Sequence, residues 1–282
     1  KVPGFRNPKP VVAVIRLTGV IGQGVSPLRP GMTLSGLNQP LEQAFRLSRL
    51  KAVALAINSP GGAPAQSSLI LKRIRALADE HEIPVFAFAE DVAASGGYML
   101  ACAGDEIFAD ESSVIGSIGV VSSGFGFAGL LRRIGIERRL HTAGDKKGML
   151  DPFSPERPEE VELLKSLQQD VHDSFKDIVR QRRAGKLKAG EDALFNGEFW
   201  TGRRALELGL IDGIGELTQV IKERYGDRVR FKPMGPRQSW LKRRFAAAWA
   251  SPGAGMDSRA GALAADLLAV IEERALWGRF GL

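Results

Sequence analysis

The sequence predicts an α/β protein of repeated βαβ units followed by a helical C-terminal part. Three features predict it. Continuous apolar runs at 11–17, 52–57 and 85–89, rich in small and β-branched residues, read as strands buried on both faces of a parallel sheet. Between them, apolar residues recur every three or four positions, the period of an amphipathic helix. From 158 onward the pattern turns to helices, led by a long one.

Taken in order, 11–17 (VVAVIRL) is the first strand, and a Gly-, Pro- and Ser-rich loop follows over 19–36. A helix is expected at 38–50 and a second buried strand at 52–57, closed by the turn Asn58-Ser59-Pro60-Gly61-Gly62. The next helix, 66–80, carries Ile70, Leu71, Ile74, Leu77 and Ala78 on one face. Strand 85–89 leads into a small-residue turn and helix at 93–103. Short strands are expected at 106–109, 119–122 and 137–141, with a short helix at 130–133. Such alternation predicts right-handed crossovers in one sheet. The long helix at 158–183 has a stripe of Leu164, Leu167, Val171, Phe175 and Ile178, and shorter helices follow at 201–208 and 216–225. No polar linker interrupts residues 1–233, so these form one domain, with a core at 11–150 and a helical part at 151–233.

Residues 234–282 look separate. From Pro236 there are 7 basic and 4 acidic residues and three of the four Trp. Leu241, Phe245, Ala248 and Trp249 share a helical face within a basic stretch, and Leu263, Leu267, Val270 and Ile271 mark a second amphipathic helix. Such a tail suits peripheral contact with an anionic membrane, packing between subunits, or an unstructured end.

Composition excludes several classes. At 282 residues and 44% hydrophobic, the chain can bury a core. One Cys rules out a disulfide scaffold, and one Cys with three scattered His argues against a zinc cluster. No metal or other cofactor is expected. A formal charge of +7 suits an anionic surface without demanding one, and no nucleic-acid partner is expected. No apolar run reaches the ~20 residues of a membrane span, and the polar start of the chain predicts no signal peptide.

Two turns stand out chemically. Ala93-Ala94-Ser95-Gly96-Gly97-Tyr98 lies between a buried strand and a helix. A serine there is either an exposed nucleophile or an ordinary helix N-cap. The turn at 58–62 ends another buried strand, and its paired glycines leave backbone N–H groups uncovered, as an oxyanion hole requires. Turns at the carboxyl ends of neighbouring parallel strands face one crevice. A serine nucleophile needs a base. His81 and His172 look solvated or superficial, and His141 is the one histidine placed to act. A lysine is the alternative, from Gly144-Asp145-Lys146-Lys147-Gly148. Its ordinary pKa of ~10.4 must then fall close to neutrality, a change of about 4 kcal/mol in the balance of its charged and neutral forms.

The motifs NSPGG (58–62), ASGGY (94–98), ACAGD (101–105), GSIGV (116–120), the Lys147 loop and TGRRALELGLIDGIG (201–215) occur here in one order. In that order they resemble the signal peptide peptidase A, or protease IV, family, in its short single-unit bacterial form. The resemblance runs from about residue 11 to 225. It implies a crotonase/Clp-protease-like fold and a serine endopeptidase with a Ser–Lys dyad. By motif, Ser95 matches the nucleophile and Lys147 the general base, with Lys146 one register away. Gly62 and Gly96 match the oxyanion-hole donors, and Ser117 matches a serine that hydrogen-bonds the lysine. The resemblance further implies a homo-oligomer whose sites draw Ser and Lys from neighbouring subunits. The implied substrates are hydrophobic or membrane-derived peptides, such as remnant signal peptides. The expected location is membrane-associated or cytoplasmic in a bacterium, with the side of the membrane open. The family's usual N-terminal anchor is not visible. A ring-forming scaffold of the same fold that cleaves nothing is the rival reading, and a crotonase-type acyl-CoA enzyme a third.

Three look-alikes carry less. Gly124-Phe125-Gly126-Phe127-Ala128-Gly129 matches a dinucleotide-binding fingerprint, with Asp145 as its loose acidic partner. Ser48-Arg49-Leu50-Lys51 matches S-x-x-K without the companion motifs of the penicillin-recognising enzymes. Cys102 reads as a small buried residue.

Overall fold

A computed structural model describes residues 9–22, 31–144, 146–235 and 274–281. Strand β1 (Val11–Thr18) leads through a loop to helix α1 (Leu34–Phe45) and strand β2 (Leu50–Ser59). Helix α2 (Pro64–His81), strand β3 (Val85–Ala94) and helix α3 (Gly96–Ala101) follow. The core continues with β4 (Glu106–Ala109) and β5 (Val114–Gly116), then helix α4 (Ala128–Arg133) and the long α5 (Pro158–Arg182). The remaining elements are α6 (Glu191–Leu194), β6 (Phe199–Thr201), α7 (Gly202–Leu208), β7 (Gly213–Ile214), α8 (Leu217–Tyr225) and β8 (Arg230–Met234).

The strands form one sheet in the order β6-β5-β3-β2-β1-β8, with β4 and β7 branching from β3. β1, β2 and β3 pair in parallel, as their continuous apolar runs predict. β3 is long enough to serve two neighbours: Phe86–Ala89 pairs with β4, and Val92–Ala94 pairs with β5. The ladder therefore splits near Glu90 and Asp91, and the second half of β3 carries its chain to Ser95.

One face of the sheet packs on α1, α2 and α3 through a core that includes Ile15, Leu55, Ile70, Ile74 and Leu100. The five residues expected on the inner face of α2 are all buried there. The other face is smaller: Phe86, Phe88 and Phe108 meet Val220 and Ile221 of α8. Arg224 lies over the Phe86 ring at 4.6 Å and pairs with Glu106.

The structure corrects several expected elements. No strand forms at 119–122 or 137–141. These residues belong to an exposed stretch running from about 121 to 157, in which α4 buries no side chain. The segment 137–141 finds no partner strand, and its arginines pair locally, Arg139 with Glu137 and Arg138 with Asp151. The helix expected at 93–103 begins only at Gly96, because β3 extends to Ala94. α5 forms as expected, but only Phe175 of its named stripe is fully buried, and Leu167 stays exposed. β6 is an unexpected antiparallel neighbour of β5, and β8 an unexpected parallel edge on β1. Pro233 is tolerated in β8 because that strand is the sheet's edge. The amphipathic patterns at 241–249 and 263–271 lie outside the described residues. Residues 274–278 are helical, and Phe280 just beyond packs edge-on against Phe199 at 5.1 Å.

Candidate active site

Ser95 sits at the junction of β3 and α3. Its N–H donates to the Gly116 carbonyl at 2.7 Å, which continues the β3–β5 ladder one residue beyond the strand. Its carbonyl accepts the Met99 N–H at 3.0 Å, the first bond of α3. Satisfying both at once forces a sharp elbow, with φ 52° and ψ −122°. A non-glycine residue in such a conformation carries about 1–3 kcal/mol of strain, which the surrounding structure must hold. The alternative use of Ser95 as an N-cap is not taken, because its side chain makes no capping bond. Ser95 is left half-buried at the carboxyl end of the sheet.

The turn after β2 lies directly against this elbow. A Cβ added to Gly61 would sit 2.8 Å from the Ser95 Cβ and 2.9 Å from the Gly96 nitrogen. Gly62, at φ +140°, has no room for a side chain, since a Cβ there would lie 2.0 Å from the Ile21 carbonyl oxygen. Among the described residues, neither the Gly62 nor the Gly96 N–H has a hydrogen-bond acceptor. Gly62, Ser95 and Gly96 line one narrow cleft with Pro64, Met99, Gly119, Val120, Val171 and Phe175. The side chains that line the cleft are apolar apart from that of the serine.

Ser117 lies on the adjacent strand end, one residue past the carbonyl that holds Ser95. It is buried, also at positive φ (52°), and its N–H donates to the Glu198 carbonyl at 2.7 Å. Ser95 is thus held by Gly116, and Ser117, the residue next to Gly116, is held by Glu198 on the flank of β6.

Lys147 is not brought to this cleft. It stands exposed in a turn, its N–H bonded to the Gly144 carbonyl at 3.0 Å, and among the described residues no lysine lines the cleft. Lys146 and His141 are exposed in the same stretch. Two histidines are corrected. His81 is half-buried and stacked on Phe45 with ring centroids 6.1 Å apart, and His172 meets the Ile118 carbonyl through Nε2 at 3.1 Å. Facing a carbonyl, that nitrogen must carry the proton.

Other residues gain roles that composition did not reveal. Ser59 is fully buried, donating to the Gly19 carbonyl at 2.7 Å and accepting the Gly61 N–H at 3.2 Å. Asn58 bonds Asp91 at 2.6 Å across to β3. Tyr98 anchors α3 by donating to the Leu210 carbonyl at 2.8 Å, and burial lifts its hydroxyl well above the usual tyrosine range. Burial also pushes the Cys102 thiol up to about 12, so it stays neutral and inert. The dinucleotide look-alike has no preceding strand, its glycines meet open space, and Asp145 is outside the described residues. Ser48 and Arg49 form a turn into β2.

The family model of peptidase family S49 matches residues 78–227, more than half of the chain. A Brucella melitensis protein named Na(+)/H(+) antiporter NhaA is 51% identical over 285 residues, covering 99% of this chain and 38% of that protein. The chloroplastic serine protease SPPA of Arabidopsis thaliana is 33% identical over 222 residues, 77% of this chain and 32% of the relative. A putative signal peptide peptidase SppA of Enterococcus faecium is 34% identical over 166 residues, 59% of this chain and 48% of the relative. This chain therefore spans less than half the length of each of these three. The chain belongs to peptidase family S49. Its α/β sheet and flanking helices are the crotonase/Clp-protease-like fold expected from the motifs.

Proposed function

We propose that the protein is a serine endopeptidase in which Ser95 is the nucleophile and Lys147, supplied by a second copy of the chain, is the general base. One observation carries the reading. A strained, uncapped serine shares one cleft with two glycines whose N–H groups have no acceptor among the described residues. Neutral Lys147 takes the Ser95 hydroxyl proton as Oγ attacks a peptide carbonyl carbon. The Gly62 and Gly96 N–H groups receive the resulting oxyanion. The lysine ammonium then gives its proton to the leaving amine, and water hydrolyses the acyl-enzyme by the same route. Ser117 holds the lysine amine in line.

The exposure of Lys147 in the single chain supports assembly. A lysine serves as base near neutrality only when burial removes its charge, and contact with a neighbouring copy provides that burial. The apolar walls from Met99, Val120, Val171 and Phe175 suit hydrophobic peptides. Membrane-derived peptides are a natural source, in keeping with the printed name of the Enterococcus relative. Among the described residues no helix is long and apolar enough to cross a membrane. We carry over no ion transport from the Brucella relative, since the match covers 38% of that protein.

Complementation tests the shared site. Ser95→Ala and Lys147→Ala are each assayed with a hydrophobic fluorogenic peptide, then mixed under conditions that allow subunits to exchange. Each alone is expected to be inactive, and a random equal mixture to recover about a quarter of wild-type activity through sites built from one intact Ser and one intact Lys. Undiminished hydrolysis by assembled Lys147→Ala would assign the base to Lys146 or His141. An assembled wild type that cleaves no hydrophobic peptide would favour the non-catalytic scaffold.

A further inference from the structure

We propose that Ser59 is a positioning residue that sets both oxyanion donors in register. The proposal rests on the reading of Ser95 as nucleophile. Ser59 ends β2 and has no exposed surface. Its hydroxyl joins two chain segments: it donates to the Gly19 carbonyl at 2.7 Å and accepts the Gly61 N–H at 3.2 Å. The same segments are tied again by Gly19 N–H to the Asn58 carbonyl at 2.9 Å and by Ile21 N–H to the Gly61 carbonyl at 2.8 Å. With the Gly61 N–H consumed inward and its carbonyl bonded to Ile21, the peptide linking Gly61 to Gly62 has a fixed orientation. The Gly62 N–H is what it leaves free.

Ser59 also contacts the second donor's turn. Its own carbonyl oxygen lies 2.4 Å from where a Gly97 Cβ would stand, so the turn at Gly96 and Gly97 rests on the Ser59 backbone. One buried residue therefore spaces the Gly62 and Gly96 donors from below. Alanine would fill nearly the same volume but leave the buried Gly61 N–H and the half-buried Gly19 carbonyl without their partner. That defect is relieved by rotation of the Gly61 peptide. Oxyanion donors act over a narrow range, about 2.7–3.1 Å from the developing charge. The cost should fall on the transition state and spare ground-state peptide binding.

The test uses the full chain and compares wild type, Ser95→Ala, Ser59→Ala and Ser59→Cys. The readouts are kcat and KM on a hydrophobic peptide, and the dissociation constants of a matched peptide aldehyde and peptide alcohol. The aldehyde adds Ser95 Oγ–H across its C=O to give a hemiacetal whose oxygen lies at the donors, whereas the alcohol binds without reaction. For Ser59→Ala we expect an assembled protein, kcat lowered by about tenfold or more, KM within about twofold, and aldehyde affinity lowered in step with kcat while alcohol affinity holds. Ser59→Cys keeps the volume with weaker hydrogen bonds, should fall between the two, and carries the test if Ser59→Ala does not assemble. Unchanged kcat, or equal losses for aldehyde and alcohol, would overturn the positioning role. Failure of the underlying reading looks different: wild type would be inactive, or Ser95→Ala as active as wild type.

Discussion

A side chain at Gly62 has to occupy space already filled by the Ile21 carbonyl, 2.0 Å from the added Cβ, at a φ that L-residues rarely adopt. Gly62→Ala must displace the loop that carries one of the two free N–H groups. We expect activity to fall by about 10²-fold or more, as for loss of an oxyanion donor, with about 1–3 kcal/mol of destabilisation. Gly124→Ala is the matched control, because a Cβ there meets nothing within 4 Å. It should shift stability by no more than about 0.5 kcal/mol. Peptide hydrolysis and thermal unfolding of the two variants check this directly. Cys102 gives a second residue-scale expectation. Fully buried, with its thiol pushed up to about 12, it should resist iodoacetamide in the native protein at pH 8 and react once the chain is unfolded. Mass spectrometry before and after denaturation reads the outcome. Small residues at 61, 62, 96 and 97 were visible in the sequence as motifs, and the packing explains why they are small. The role of Ser59 was not visible, since a serine inside NSPGG looks like any turn residue until its two bonds are seen.

At the scale of elements, the turn after α7 is held by a nearly buried ion pair. Arg183 bonds Asp212 at 2.6 Å and also donates twice to the Gly209 carbonyl, while Lys186 reaches the other Asp212 oxygen at 2.8 Å. Partial burial raises the Asp212 pKa, but the bonds from Arg183, Lys186 and the Ile107 N–H outweigh it, and the carboxyl lies below its usual range. Its contribution to stability is therefore fully present above the unfolded carboxylate pKa of ~3.9 and is lost as pH falls through the lower folded value. Asp212→Asn should cost about 3 kcal/mol at neutral pH, because it strands the buried Arg183 charge. Its unfolding midpoint should also depend less on pH than that of wild type below about pH 4, which a pH series of thermal melts would show. The same scale separates what the sequence revealed from what it hid. β1 to β4 announce themselves as apolar runs, and α2 as a 3.6-residue stripe whose named members are all buried. β5, β6 and β7 are two or three residues long, too short for a period, and exist because β3, β5 and β4 in turn offer them edges. Residues 137–141 are expected as a strand, but among the described residues no edge reaches them.

At the scale of the whole molecule, large apolar side chains stand uncovered among the described residues. Phe125 is 78% exposed, Leu130 54%, Ile134 58% and Ile136 55%, all within the stretch that carries Lys147. Exposed apolar groups gathered in this way are the kind of surface that a partner covers. The glycine turns and Ser95 were legible because one chain positions them. The place of Lys147 was not, because one chain leaves it in solvent. If a second copy covers this stretch, the same contact that buries Leu130 and Ile134 delivers the base, and assembly and catalysis should be lost together. The double variant Leu130→Asp/Ile134→Asp tests that coupling. Both side chains are exposed, Leu130 on α4, which buries nothing, and Ile134 at its C-cap, so the fold of the monomer should survive, with circular dichroism and melting temperature close to wild type. Light scattering should report a smaller species, and hydrolysis should fall as far as in Lys147→Ala although Ser95, Gly62, Gly96 and Lys147 are all present. An assembled, active double variant would place the subunit contact elsewhere. A dissociated variant with full activity would mean that Lys147 reaches Ser95 within its own chain.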